Sequence, residues 1–398
     1  MTIFVFAEDY PMFDRASGAL RFFSLLKILA AKYRVLFYAA DLDAQEEHFG
    51  AGETCRYRDR LSALGVEMVE GDWMQRLRSD AVDVVLFEFY HMAEAHLDGV
   101  RLAQPGARIV IDTVDVHFKR LASKAQLTRE PEDFALAESL KARELAAYRK
   151  ADFILAVSEP DRQALLSEDA GFHIGVVPNI HQIDAEPARA SSGARDLIFV
   201  GGFDHQPNVD AMTYFCRDIL PLIRRHFPDV GLKIVGSSPP EAVRRLAGER
   251  VQVTGYVPDT RPYLQQSLVS VAPLRFGAGL KGKIGEAMAC GLPVLSTSIG
   301  IEGFDLSPGK NVLVADTPEE FCRAAVRLLR DKELRLTIGG NGRRFIEENY
   351  SEAAVAPRLC SVFETLKILP AKKLPARAVL KERARSALER HVLWRFNR

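Results

Sequence analysis

The 398-residue chain is long for one domain and suits two. Its 53 Lys and Arg balance 53 Asp and Glu, which excludes a chain-wide bias toward nucleic acid or another polyanion. Five scattered cysteines without a CxxC pair exclude a disulfide framework and suit a reducing compartment, and nine histidines show no HExxH-type metal spacing.

No apolar run approaches the ~20 residues that a bilayer span needs. The opening MTIFVFAEDYP lacks the basic n-region of a secretory signal. A cytoplasmic protein is therefore expected, with peripheral attachment to the inner face of the plasma membrane left open. Residues 3–7 form a short apolar run that suits a buried parallel strand. A loop, DYPMFDRASGALR, leads into a helix that runs to about 31, with Leu25, Ile28 and Leu29 on one face. Further strands are predicted at 35–39, 66–69, 84–87, 108–113, 153–157 and 174–177, with the clearest helix at 130–150. Strands alternating with helices imply a parallel sheet covered on both faces.

Residues 185–195, rich in Ala, Ser, Gly and Pro, read as a linker. Beyond it the alternation restarts, with strands predicted at 197–200, 232–235, 251–254, 269–272, 294–296 and 312–315. Helices are expected around 210–227, at 319–330 behind Thr317 as N-cap and Pro318 as first residue, at 333–349 and at 351–367. The chain thus divides into a Rossmann-like unit at 1–184, the linker, a second unit at 196–350, a terminal helix at 351–369 packing back on the first unit, and a tail at 370–398. A cleft is expected between the two doubly wound sheets, beyond the carboxyl ends of their strands. Residues 371–398 carry nine Lys or Arg against two Glu, with Leu380, Ala384, Leu388 and Val392 at helical spacing. That tail reads either as a basic amphipathic helix on an anionic membrane or as a helix docked on its own protein.

The stretch RFGAGLKGKIGEAMACGLPVLSTSIGIEGF, 275–304, concentrates the chemistry. Gly277 and Gly279 precede a helix predicted at 283–290, whose first turn offers free N–H groups and a positive dipole end. Arg275, Lys281 and Lys283 gather at that end, where the dipole alone would favour anions, so the arrangement suits an anionic ligand such as phosphate. The bland alternative is a surface cluster of cations. Glu286, one turn after Lys283, is placed to accept hydrogen bonds from sugar or ribose hydroxyls.

Five pieces in order, LIFVGGFDHQPNVDA, LKIVGS, VQVTGYVPD, VSVAPLRFGAGLKGKIGEAMACGLPVLSTSIGIEGF and NVLVADTPEEF, resemble the donor-binding domain of the retaining GT-B glycosyltransferases of the family-four type. SGALR, DTVDVHF and ADFILAVSE…VVPN add to the resemblance in the N-terminal half. The resemblance implies two Rossmann-like domains and a UDP-, GDP- or dTDP-linked sugar donor on the second of them. It further implies a glycan or lipid-linked glycan acceptor on the first, and transfer with retention and no required metal. It places Arg275 and Lys283 at the donor diphosphate, with Lys281 as a third cation, and Glu286 at the ribose as the second Glu of a Glu, seven residues, Glu motif. The first Glu of that motif is replaced by Ala278, which leaves the donor sugar open. His117 falls where the family has a histidine near the donor sugar, with Asp112 or Asp115 to orient it. Gly18, with Ser17 and Arg21 beside it, corresponds to the glycine loop of the first domain, and Gly201 and Gly202 to that of the second. Tyr256 lies where the family holds the base, and Glu302 and Gly303 where it approaches the sugar. The rival readings are a nucleotide-sugar epimerase, or a silent sugar-nucleotide-binding subunit kept in play by Ala278.

Overall fold

The computed structural model describes residues 1–183 and 196–374, together with 376, 377, 379, 380 and 384. The expected linker at 185–195 and most of the expected tail lie outside the described residues. Strands alternate with helices in two successive rounds. The first comprises β1 (Thr2–Ala7), β2 (Arg34–Ala39), β3 (Glu67–Met68), β4 (Val84–Glu88), β5 (Arg108–Asp112), β6 (Phe153–Ala156) and β7 (Ile174–Val176). The second comprises β8 (Asp196–Val200), β9 (Gly231–Val235), β10 (Val251–Gly255), β11 (Val269–Ala272), β12 (Val294–Ser296) and β13 (Leu313–Val314). Their orders are 3-2-1-4-5-6-7 and 10-9-8-11-12-13, all pairings parallel. In each sheet the order reverses beside the first strand, β1 or β8, and this opens a crevice at the strand carboxyl ends.

Period-two alternation explains how each sheet is covered. Ile3, Val5 and Ala7 enter one core with Phe22, Leu25 and Leu29, while Phe4 and Phe6 enter another with Phe87 and Tyr148. In the second sheet Leu197 and Phe199 face one core, and Ile198 and Val200 pack with Ile284 and Ala287 of the Gly282–Ala289 helix. No helix among the described residues is long and apolar enough to cross a membrane.

Two helices show how local chemistry sets geometry. The helix expected at 210–227 is broken into Gln206–Tyr214, a π turn at Phe215–Ile219, and Leu220–Arg224. Pro221 has no N–H to continue the α-helical ladder, and the wider turn accommodates it. Thr317 and Glu320 form a reciprocal capping box that starts Pro318–Arg330.

Lys332–Tyr350 closes the second round, and Ser351 then caps Glu352–Ile368. This last helix leaves the second sheet and packs on the first helix, Ser17–Ala30. Its Val355, Leu359, Phe363 and Leu366 share a core with Phe22 and Leu25. Lys27 Nζ lies 2.7 Å from Glu352 Oε2, and Tyr33 donates to Glu364 Oε1 at 3.2 Å. The chain therefore meets the junction between the domains twice, and the backbone N–H of His181 donates to the Tyr350 carbonyl at 2.8 Å to join the two passages.

Candidate functional site in the interdomain cleft

The carboxyl ends of the two sheets face each other, and the loops that follow their strands touch. A Cβ added to Gly282, at the start of the Gly282–Ala289 helix, would lie 2.2 Å from Cβ of Ser17, at the start of Ser17–Ala30. Only a glycine lets those two helix ends meet. Gly277 N–H donates to Ser123 Oγ at 3.4 Å, Asn179 Nδ2 donates to the Leu280 carbonyl at 3.3 Å, and Lys119 Nζ lies 2.8 Å from Glu302 Oε1. Tyr256 donates to Asp14 at 3.1 Å while its ring lies 4.1 Å from the Arg15 guanidinium, which also faces Phe49.

The 275–281 loop is the centre of this contact. Gly279 has φ of 65° and lies beside Val114 and Asp115 of the opposite domain, so a side chain there would be strained. Lys281 is buried, donates to the Gly279 carbonyl at 2.9 Å, and stands 3.8 Å from Glu302. Burial lowers its ammonium below the usual lysine range. Lys283 points its stem along Gly201, and its ammonium lies 5.5 Å from the Phe199 ring. Burial, and then the neighbouring Lys281, lower it to about 8. Among the described residues no carboxylate pairs with it. Glu286 accepts a hydrogen bond from the Thr260 hydroxyl, and burial raises its carboxyl. The first turn of the Gly282–Ala289 helix contains no acidic residue.

The opposite wall carries His117, first residue of the His117–Thr128 helix. Its ring meets those of Phe89 and Tyr90 at 5.8 and 5.5 Å. Burial, with Arg120 and His91 nearby, lowers its imidazole to about 3, so it is neutral at physiological pH. The expected orientation of His117 by Asp112 or Asp115 is not what the structure shows. Asp112 is held by Arg21 at 2.6 Å, both side chains fully buried, and Asp115 pairs with Arg120 at 2.5 Å. Glu144 instead receives the backbone N–H groups of His117 and Phe118, at 3.1 and 2.9 Å, and so caps that helix from a distant segment. Arg21 also donates to the Val177 carbonyl, which makes it a core brace.

Arg275, expected at the donor diphosphate, is paired within its own domain. Asp210 takes its guanidinium through both carboxylate oxygens, and it lies 4.7 Å from the Tyr214 ring. Gly18 sits beside Val114, whose Cγ1 a Cβ there would approach to 2.9 Å. Gly201 and Gly202 lie between Asn208, Lys283 and Ser237, with Arg15 of the other domain nearby. Ala278 is buried.

The sequence reading did not single out His205. It precedes the Gln206–Tyr214 helix, and burial lowers its imidazole to about 3, assisted by Lys283, Arg120, Lys281 and His117. The charges that act on it come from both domains. Val114 and Phe89 also escaped notice; both have positive φ, 53° and 65°, at the ends of β5 and β4. Such strain in non-glycine residues concentrates at functional sites. FDHQPN carried a signal for His205, a histidine directly ahead of a helix start, whereas backbone strain leaves none.

Two facing Rossmann-like domains with the last helix returned to the first define the GT-B architecture. Residues 194–331 match the family described as Glycosyl transferases group 1. A phosphatidyl-myo-inositol mannosyltransferase of Propionibacterium freudenreichii subsp. shermanii is 27% identical over 251 residues, 55% of this chain and 61% of that protein. An uncharacterized 44.6 kDa protein in the cps region of Klebsiella pneumoniae is 24% identical over 169 residues, 40% of this chain and 44% of that one. The chain spans from 24 to 61% of the length of the curated relatives it matches. Sucrose-phosphate synthase from Thermosynechococcus elongatus superposes with a TM-score of 0.68 at 15% identity, covering 92% of this chain and 99% of that one. Anabaena HepE in complex with UDP and glucose superposes with a TM-score of 0.65 at 14% identity, covering 92% and 100%.

Proposed function

We propose that the protein is a glycosyltransferase that moves a sugar from a nucleotide-sugar donor to a glycan or lipid-linked glycan, with retention of anomeric configuration. The observation that carries this reading is the placement of Lys281, buried at the N-cap, and Lys283, beside Gly201, at the start of the Gly282–Ala289 helix, where Gly279 meets Val114 and Asp115 of the other domain. Buried cations and free helix N–H groups suit a diphosphate, and their task is to stabilise the charge that grows on the leaving phosphate. Neutral His117 is suited to hydrogen-bond a donor-sugar hydroxyl. Glu286 receives the ribose, near Thr260 and the loop of Tyr256. Arg275, held by Asp210, braces the Gly277–Gly279 loop. The interdomain contacts exclude water while the sugar is in transit.

UDP is the first base to try, because HepE is seen with UDP and glucose. Cytoplasmic surface polysaccharide synthesis is the setting we favour, since the Klebsiella relative is described from a cps region. The basic 371–398 segment motivates attachment to an anionic membrane. A thermal-shift series with UDP, GDP, dTDP and their sugars tests the donor site. The expected result is a shift with one base that Lys283→Ala abolishes. No shift with any of them, or a shift unchanged in Lys283→Ala, overturns the assignment.

A further inference from the structure

The N-terminal domain holds a second group of ionisable side chains that the donor chemistry does not use. Parallel register sets it: Phe6 pairs with Phe87 and Glu88 with Asp112, so Glu88 and Asp112 stand side by side at the carboxyl ends of β4 and β5. Glu8 and Asp9 follow β1 directly, at the same edge and next to β4. Glu88 is 6% exposed, and no side-chain hydrogen bond or ion pair to it is found among the described residues. Asp112 Oδ1 and Thr113 Oγ1, both buried, are also without partners there.

Compensating charge is scarce. The Arg21 guanidinium is taken up by Asp112 and the Val177 carbonyl. His91 Nε2 stands 3.4 Å from Glu8 Oε2, within ion-pair distance but not aligned as a hydrogen bond. Burial raises Glu88 well above the usual carboxyl range, with Asp9, Asp112 and Glu8 adding to the effect. Asp9 is raised to about 7 by burial and by Glu8 and Asp41. An incoming cation would relieve this mutual repulsion.

Beside the carboxyls lies an aromatic wall. Phe89 and His91 are stacked at 5.4 Å and 16°, and Tyr90 meets both His91 and His117. Phe89 is the residue after Glu88 and adopts its φ of 65° at that point, so the backbone strain is spent where β4 hands over from carboxyl to ring. Carboxylates next to ring faces suit a protonated amine, through charge-assisted hydrogen bonds and cation–π contact. The ring faces beside the carboxyls favour an organic cation over a metal. His117 links this wall to the donor side.

We propose that Glu8, Asp9 and Glu88, with the Phe89–His91 stack, form a subsite for the protonated amine of an amino-sugar acceptor. The proposal rests on the glycosyltransferase reading and gives that reading an acceptor class. The test titrates the full chain, with UDP present, with glucosamine, glucose and N-acetylglucosamine by calorimetry or ligand-observed NMR at pH 7. Glucosamine is expected to bind roughly tenfold more tightly than the two neutral sugars. Glu88→Gln and Asp9→Asn are each expected to remove that preference while leaving the UDP-induced thermal shift in place, which also shows that the variants fold. Equal binding of the three sugars, no binding of any, or a glucosamine preference unchanged in both variants overturns the proposal. Loss of the UDP shift in the unmodified protein would instead sink the donor reading, and the glucosamine comparison would still decide this one.

Discussion

Lys283→Met separates what Lys283 does for the fold from what it does for a ligand. Burial holds the ammonium at about 8 against an ordinary 10.5, a penalty of ~3 kcal/mol on the charged form at neutral pH. Methionine keeps most of the stem against Gly201 and Phe199 and removes the charge. The variant is therefore expected to be more stable than the parent, by about 1–3 kcal/mol. In a domain of this size that is a rise of about 2–4 °C in Tm per kcal/mol. The penalty applies below pH ~8 and is relieved as pH rises toward 10.5, because the unfolded chain binds the extra proton across that window. A rise of stability with pH in that window should be present in the parent and absent in the variant. The same change deletes a charge-assisted contact to the diphosphate, worth about 1.5–3 kcal/mol, or ~10- to 150-fold in UDP affinity. Scanning fluorimetry without ligand and calorimetric titration of UDP read the two effects separately. A variant less stable than the parent by more than about 1 kcal/mol, or one that binds UDP unchanged, refutes the reasoning.

Asp112→Asn leaves Arg21 charged and buried against a neutral partner, and urea unfolding should show a loss of ~3–5 kcal/mol. Lys119→Met combined with Tyr256→Ala removes the pairing with Glu302 and the contacts with Asp14 and Arg15. Small-angle scattering without ligand should then show a larger radius of gyration, and an unchanged radius would mean that the remaining contacts hold the domains together. His181 is buried, its Nε2 has no partner among the described residues, and burial lowers it to about 4. Its neutral form is favoured in the fold, so it costs stability as pH falls from 6.5 toward 4, by ~1.4 kcal/mol per pH unit. His181→Leu should flatten that acid limb in urea titrations at several pH values, whatever it does to stability at neutral pH.

The central strands were legible because they are short apolar runs buried on both faces, and the runs at 269–272 and 294–296 match β11 and β12 end for end. The helix predicted at 283–290 starts one residue earlier, at Gly282, and the N-cap at Thr317 was legible from the proline behind it, while its reciprocal bond with Glu320 was not. Partner choice was not. Arg275 looks free in the sequence, yet Asp210 lies 65 positions away and reaches it only through the fold. Asp112 lies near His117 in the chain, yet the nearer charge in space is Arg21, 91 positions away. Glu144 caps the His117 helix across 27 residues, a distance at which no local pattern operates. Periodicity reports burial, and the pairing of charges depends on which loops the two sheets bring face to face.

The last helix has a consequence for how the chain is made. Val355, Leu359, Phe363 and Leu366 belong to the same core as β1 and the first helix, so the N-terminal domain is not a contiguous piece of chain. A ribosome that has released residue 350 has delivered every strand of the second sheet but has yet to supply one wall of the first. The later-encoded domain can therefore complete its core before the earlier-encoded one, against the usual order in which N-terminal units mature during synthesis. Until the final helix emerges, the face of Ser17–Ala30 that will receive it remains open to other partners, chaperones among them.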